Sequence, residues 1–301
     1  MLSANLALSA RVARRLVGMV CLVLVAWPSP HLAAEELLSW HSDYGVAARQ
    51  AQAYGKMLLI HFHDPAEPEV REVFQHRVLE DSRIQELLSP YVRLELSVDA
   101  TTVSDGNEIK LLDHPSFTEM RGRPGVAVID YAHAGADYYG HVVSTFPFQP
   151  GRYYDVDRLA VVLELPDGTL TQRTMIFAVR IHPETPHSTE GDFHPELADE
   201  ASAHSQYQAQ IRNQGHHNWG TRFSRIVHRL QAGSAQEVVA ESWAGESLVD
   251  ACVECVRSWR QSPGHWGAVR GRHPSFAYDI KRGSNGVWYA TGLFANARHR
   301  R

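Results

Sequence analysis

The stretch CVECVRSWRQSPGHW, residues 252–266, brings together four side chains able to do chemistry: Cys252, Cys255, Ser262 and His265. A Cys-x-x-Cys pair serves redox chemistry when its first thiol sits at a helix N-terminus, where unpaired N–H groups stabilise the thiolate. The spacing here predicts otherwise. Ser247 can cap a helix with Asp250 three residues on, and Leu248, Cys252, Cys255, Val256 and Trp259 then share one face. Cys252 falls more than a turn inside that helix, so both sulfurs are expected in the apolar stripe as free thiols; a disulfide or a metal pair are the alternatives. A zinc site would need two further ligands nearby, and no second Cys pair exists. Ser262 lacks the Gly-x-Ser-x-Gly elbow of a serine hydrolase, and no P-loop or dinucleotide glycine pattern occurs. The carboxylate runs Glu67, Glu69, Glu72 and Glu237, Glu241, Glu246 read by themselves as solvated faces.

The wider stretch AESWAGESLVDACVECVRSWRQSPGHW resembles the central motif of bacterial members of the cysteine-rich secretory, antigen 5 and pathogenesis-related family (the CAP or SCP domain), Ala-Glu-Asn followed by Trp-x-x-Ser-Pro-Gly-His. Upstream, AHSQYQAQIRNQGHHNWGTRF is similar to that family's second helix and its His-bearing turn. Downstream, FAYDIKRGSNGVWYATGLFA is similar to its final hairpin, with Asn285-Gly286 as the turn. The resemblance spans residues 168–296 and implies an α/β/α sandwich with a shallow cavity lined by two His and one or two Glu.

Carried over residue by residue, the resemblance implies His216 as the first cavity imidazole, because Trp219 stands three residues later, with His217 as the alternative one residue along. It implies Glu241 as the carboxylate and His265 as the second imidazole. Gln261 falls where animal members carry a second Glu, and Ser242 where the motif has Asn. Two neutral imidazoles and one carboxylate make a three-ligand site for one zinc-like divalent cation, with room for water. Such a site polarises water for hydrolysis only if something accepts the proton, and Gln261 leaves that post without a carboxylate. The plainer alternatives are hydrogen-bonded structural imidazoles and a Glu241 pinned to loop N–H groups.

These residues must be positioned by a two-part α/β chain. In the first part, residues 38–165, strands are expected at 57–62, 92–98, 126–132 and 140–146, with amphipathic helices between the first two and a closing helix at 155–165. The order βαβ, then a ββ hairpin and a helix, fits an α/β sandwich on a small mixed sheet. WHSDYGVAARQAQAYGKMLLIHF and GRPGVAVID resemble a thioredoxin-like domain, with Pro124 at the place of that fold's cis-proline. The two cysteines of that family would fall on Glu67 and Val70, so this half is expected to be redox-inactive, keeping the scaffold and a groove beside Arg123 and Pro124. A turn-rich break at Leu165-Pro166-Asp167-Gly168 precedes helices expected at about 170–181 and 195–214, the second with Leu197, Ala201, His204 and Ile211 inward. Residues 183–195 read as a long surface loop.

The bulk properties set the outer bounds. With 301 residues, 44% hydrophobic and 21% charged, the chain can bury ordinary cores, and a net charge of −5 offers no general attraction for nucleic acid. Arg298-His299-Arg300-Arg301 reads as a solvated tail. Arg11, Arg14 and Arg15 precede an apolar run at 16–27, and Leu32-Ala33-Ala34 supplies small residues for cleavage, the pattern of a signal peptide over residues 1–34. That run, about 12 residues against roughly 20 for a spanning helix, predicts export to the periplasm, envelope or exterior with no permanent membrane span. The expected function is a non-enzymatic binding or interaction protein with a CAP-like cavity, taking a small molecule, lipid or envelope component. A metal-assisted hydrolase acting on peptides or esters and, more remotely, a thiol oxidoreductase are the alternatives.

Overall fold

The structure is a computed structural model and describes residues 39–104, 106–151 and 153–297. The expected signal segment and the basic tail lie outside the described residues. The first half runs β1 (Trp40–His41), α1 (Tyr44–Tyr54), β2 (Met57–His63), α2 (Pro68–Phe74), α3 (Ser82–Leu87), β3 (Tyr91–Ser97), the hairpin β4 (Thr101–Ser104) and β5 (Asn107–Lys110), β6 (Gly125–Ile129), β7 (Val142–Pro147) and α4 (Val156–Leu163). Asp43 caps α1 by accepting from the Val46 N–H, and Gly55 closes it in the left-handed conformation.

Five strands form one sheet in the order β1-β3-β2-β6-β7, with β1, β3 and β2 parallel and β6 antiparallel to both β2 and β7. The run MLLIHF is apolar throughout because both faces of β2 are covered. Leu58, Ile60 and Phe62 pack towards Ala47 and Ala51 of α1, and Met57 and Leu59 face the opposite core. This is the expected α/β arrangement on a mixed sheet. Glu67 precedes α2 and Val70 lies in its first turn, so no sulfur stands there, and the Pro124 peptide is trans.

The second half runs α5 (Leu170–Arg180), β8 (Asp192–Phe193), α6 (Pro195–Ile211), α7 (Trp219–Leu230), β9 (Ala235–Glu241), α8 (Leu248–Gln261), α9 (Pro263–Arg270), β10 (Ser275–Arg282) and β11 (Trp288–Ala295). Its sheet has the order β8-β10-β11-β9. Leu197 and Ala201 of α6 and Ile226 of α7 cover one face with Ala277 and Leu293. Val238, Ala240 and Tyr278 meet Cys252, Cys255 and Trp259 of α8 on the other, which makes an α/β/α sandwich. Gly292 is required by this packing: a Cβ there would stand 2.5 Å from the Tyr278 ring and 2.7 Å from Val238.

The turn at 165–168 passes the chain between sheets that share an apolar core. The rings of Phe146 on β7 and Phe177 on α5 lie 4.4 Å apart, centre to centre. Arg173 is fully buried on α5 and donates to Ser144 Oγ at 2.8 Å and to the carbonyls of Leu165 and Pro166 at 3.1 and 2.8 Å, which fixes the turn itself. From the first half, Glu119 accepts the Leu248 N–H at 2.9 Å and so helps cap α8.

Several local expectations are corrected. Residues 183–195 are not wholly a surface loop: Ser188 is buried, its N–H bonds to the Val269 carbonyl and its hydroxyl meets the Tyr278 OH at 2.7 Å. Helix α6 stops at Ile211, where Arg212 turns left-handed, and Ile211 is 41% exposed instead of inward. The Ser-Pro-Gly segment ends α8 but also opens α9, with Pro263 at its first position, where a missing N–H costs nothing.

Candidate functional site

The site is assembled at the ends of three elements. His216 lies in the turn between α6 and α7, and its carbonyl accepts the Trp219 N–H. His265 stands in the first turn of α9. The third contributor is Glu237 on β9. Strand periodicity puts Val238 and Ala240 into the α8 core and turns Glu237 to the opposite face, beneath α7.

His216 Nε2 and His265 Nε2 lie 3.2 Å apart, with ring centres 5.4 Å apart. Behind the pair, His216 Nδ1 meets Glu237 Oε1 at 2.8 Å, and the other carboxylate oxygen is bonded to Arg222 of α7. The Glu237 side chain is 1% exposed and that of His216 is 44% exposed, so the pair faces solvent while its anchor is dry. Arg222 also donates to the His217 carbonyl at 3.2 Å and lies over the Trp219 ring, which locks the turn carrying His216. Burial pushes the Glu237 carboxyl up, but the hydrogen bonds from His216 and Arg222 outweigh it and hold it below the usual carboxylate range. An ionised Glu237 accepts the Nδ1–H of His216, which leaves Nε2 as the lone-pair nitrogen aimed at His265. Burial, with the neighbouring His216, holds His265 below the ordinary imidazole value.

Of the four expected cavity residues, His216 and His265 meet directly, while Glu241 and Gln261 are both exposed. Glu241 is exposed at the end of β9, on the same face as Glu237 but four residues along, roughly 13 Å by strand rise. Gln261 is exposed at the last position of α8. Reading Glu237 as part of a solvated face is corrected too, since it is the carboxylate of the site. Matching AES to the family motif selects the wrong member of EVVAE. Only the shared face of positions 237 and 241 hinted at an alternative. Among the described residues no group of three or more His, Cys, Asp or Glu side chains is disposed to hold a metal ion.

Cys252 and Cys255 are fully buried free thiols, and burial raises both well above the ordinary value. Neither position offers the thiolate that exchange requires. In the first half, α2 is tied to β3 by ions: Arg71 makes two hydrogen bonds to Glu95, at 3.0 and 2.8 Å, and buried His61 lies 3.4 Å from the same carboxylate. Among the described residues no single groove joins Arg123 and Pro124: Arg123 lines a cavity of about 510 Å³ together with Arg121, Arg158, Glu246, Asp250 and Glu254, whereas Pro124 lines a much smaller one with His61, Glu67 and Arg71. No helix among the described residues is long and apolar enough to cross a membrane.

Fold and site together define a mixed α/β protein with an anchored histidine pair at the rim of its second sheet. No family model matches the chain, and no curated protein matches it. Among solved structures, the solution structure of a thioredoxin from Thermus thermophilus is similar at 23% identity and a TM-score of 0.20, over 31% of this chain and 64% of that one. The chain thus spans less than two thirds of that thioredoxin's length.

Proposed function

We propose that the chain is an exported, non-enzymatic binding protein of the CAP type whose carboxy-terminal cavity takes one divalent cation of the zinc class on His216 and His265. The observation that carries this reading is the 3.2 Å separation of the two Nε2 atoms. Two nitrogens on one tetrahedral zinc, each at about 2.0–2.1 Å, lie roughly 3.3 Å apart. Glu237 supplies the outer carboxylate that fixes the tautomer of a ligating imidazole and raises its basicity.

Glu237 is engaged through both oxygens, so the chain offers such a cation two nitrogens and leaves its other positions to water or to an incoming oxygen ligand. That is the character of a recruiting site, one that a small molecule, lipid or envelope component would complete, and not of a closed structural one. Bound there, zinc would supply Lewis acidity. Hydrolysis would further need a proton acceptor, and Glu237 is committed to His216 and Arg222 and Gln261 has no carboxylate. Export rests on the leader pattern at 1–34, and the CAP type on the three ordered motifs and the sandwich they fall on.

Calorimetric titration of the protein with zinc tests this reading. One saturable site is expected, weakened at least tenfold by His216→Ala and by His265→Ala and untouched by Glu241→Ala. No saturable binding, or binding indifferent to both histidines, overturns it. Zinc-dependent cleavage of peptides or esters that disappears in His216→Ala would establish the hydrolase instead.

A further inference from the structure

The cavity of about 510 Å³ that Arg123 lines is built from both halves of the chain. Arg121 and Arg123, from the loop before β6, and Arg158, from α4, border it as exposed residues. Among the described residues none of the three has a side-chain hydrogen bond or an ion pair. The carboxylates that line the cavity from the α8 side are already engaged. Glu246 accepts the Trp243 N–H at 3.1 Å, Asp250 accepts the Ser247 hydroxyl at 2.6 Å and Glu254 pairs with Arg257 at 3.7 Å. Three guanidinium groups thus share one cavity with no counter-charge within ion-pair distance. The backbone at Arg121 is a second, independent observation. Arg121 closes the helical turn Pro115–Met120 in the left-handed conformation, at φ 56°, and Gly122 follows at φ 65°. Glycine fits such a position and a residue with a Cβ is disfavoured. The turn itself gains nothing from an arginine, so the use of that side chain lies in the cavity it borders.

We infer that this cavity binds a phosphate monoester, its phosphoryl group on Arg121, Arg123 and Arg158 and its organic part against Tyr153, Ile181, Val249 and Val253. A phosphoryl group has three terminal oxygens to share among three guanidinium forks, whereas a single fork satisfies a carboxylate. The four apolar side chains line the same cavity and are only half-buried, so they are open to a ligand. The volume lies within the roughly 300–1,000 Å³ usual for small-molecule sites. Glu246, Asp250 and Glu254 disfavour a second anionic group on the α8 side, which selects one phosphoryl group with an uncharged remainder over a polyphosphate or a nucleic acid. A soluble ester and a phospholipid headgroup present the same group. The site is distinct from the His216–His265 pair, which does not line it.

The test titrates the protein calorimetrically with phenyl phosphate and, in parallel, with benzoate and inorganic phosphate. The neutral chelator 1,10-phenanthroline is kept present so that a cation on the histidine pair cannot act as the acceptor. One saturable phenyl phosphate site is expected, at least fivefold tighter than either control. Arg121→Gly and Arg158→Gln should each weaken it at least tenfold. His216→Ala should leave it unchanged, which separates a failure here from a failure of the cation reading. Arg121→Gly should also keep or raise the melting temperature, because glycine suits the turn, so its loss of binding would not come from unfolding. Pelleting with phosphatidylcholine vesicles that requires phosphatidic acid and both arginines would assign the ester to a lipid; without it, the ester is a soluble one. No saturable phenyl phosphate binding, equal affinity for benzoate, or binding that survives both arginine substitutions overturns the inference.

Discussion

His216 and His265 stand 49 positions apart in sequence and meet Nε2 to Nε2 at 3.2 Å, one from a turn held by Arg222, the other from the first turn of α9. The contact depends on Glu237, which the same turn reaches from behind. Anchor and pair form one unit, so disturbing the anchor should disturb the pair.

Glu237→Ala leaves Arg222 buried with its charge uncompensated. Breaking a buried pair this way costs about 3–5 kcal/mol. Glu241→Ala, at an exposed position with no such partner, should stay within about 0.5 kcal/mol of the parent. Urea unfolding of the two variants separates them; equal stabilities would mean that the wrong carboxylate has been given the anchoring role.

His204 gives the fold a pH dependence. Burial, then the nearby Arg222, push it down to about 4. An unfolded His204 takes up its proton near pH 6.5 and the native one only near pH 4, so its contribution is fully present above pH 6.5 and is lost as the pH falls through that window, up to about 3 kcal/mol. Buried His61, also held low, acts with the same sign. His204→Phe should flatten the stability profile between pH 6.5 and 4 relative to the parent; an unchanged slope would contradict the assignment.

Cys252 and Cys255 should be silent towards an aromatic disulfide reagent in the native protein and should both react once it is unfolded. Cys255→Ser puts an unpaired hydroxyl in the same place and should cost about 1–3 kcal/mol. Rapid native modification would return the pair to the list of redox candidates.

Phe177→Ala opens the contact between the two sheets, where its ring meets Phe146 and Tyr154. A loss of about 3–5 kcal/mol is expected, with signals from both halves melting together. Two separate transitions in the parent protein would show that the halves fold independently.

Much of the scaffold was legible from periodicity. The apolar run of β2, the face shared by Leu248, Cys252, Cys255 and Trp259, the Ser247 cap and the Asn285-Gly286 turn each depend on residues close in sequence, and each stands where its pattern put it. In the cap, Asp250 donates its N–H to Ser247 Oγ at 3.2 Å while its carboxylate accepts the Ser247 hydroxyl at 2.6 Å.

What lay beyond local pattern was the choice among equivalent candidates. In EVVAE the two carboxylates share one strand face, and neither spacing nor composition tells which end lies beneath α7. The sequence by itself determined a mixed α/β chain, thiols sunk in a helix stripe and histidines at two turns. Only the tertiary structure decided that Glu237 and not Glu241 holds His216, because that choice turns on where Arg222, from another element, can compensate a buried charge.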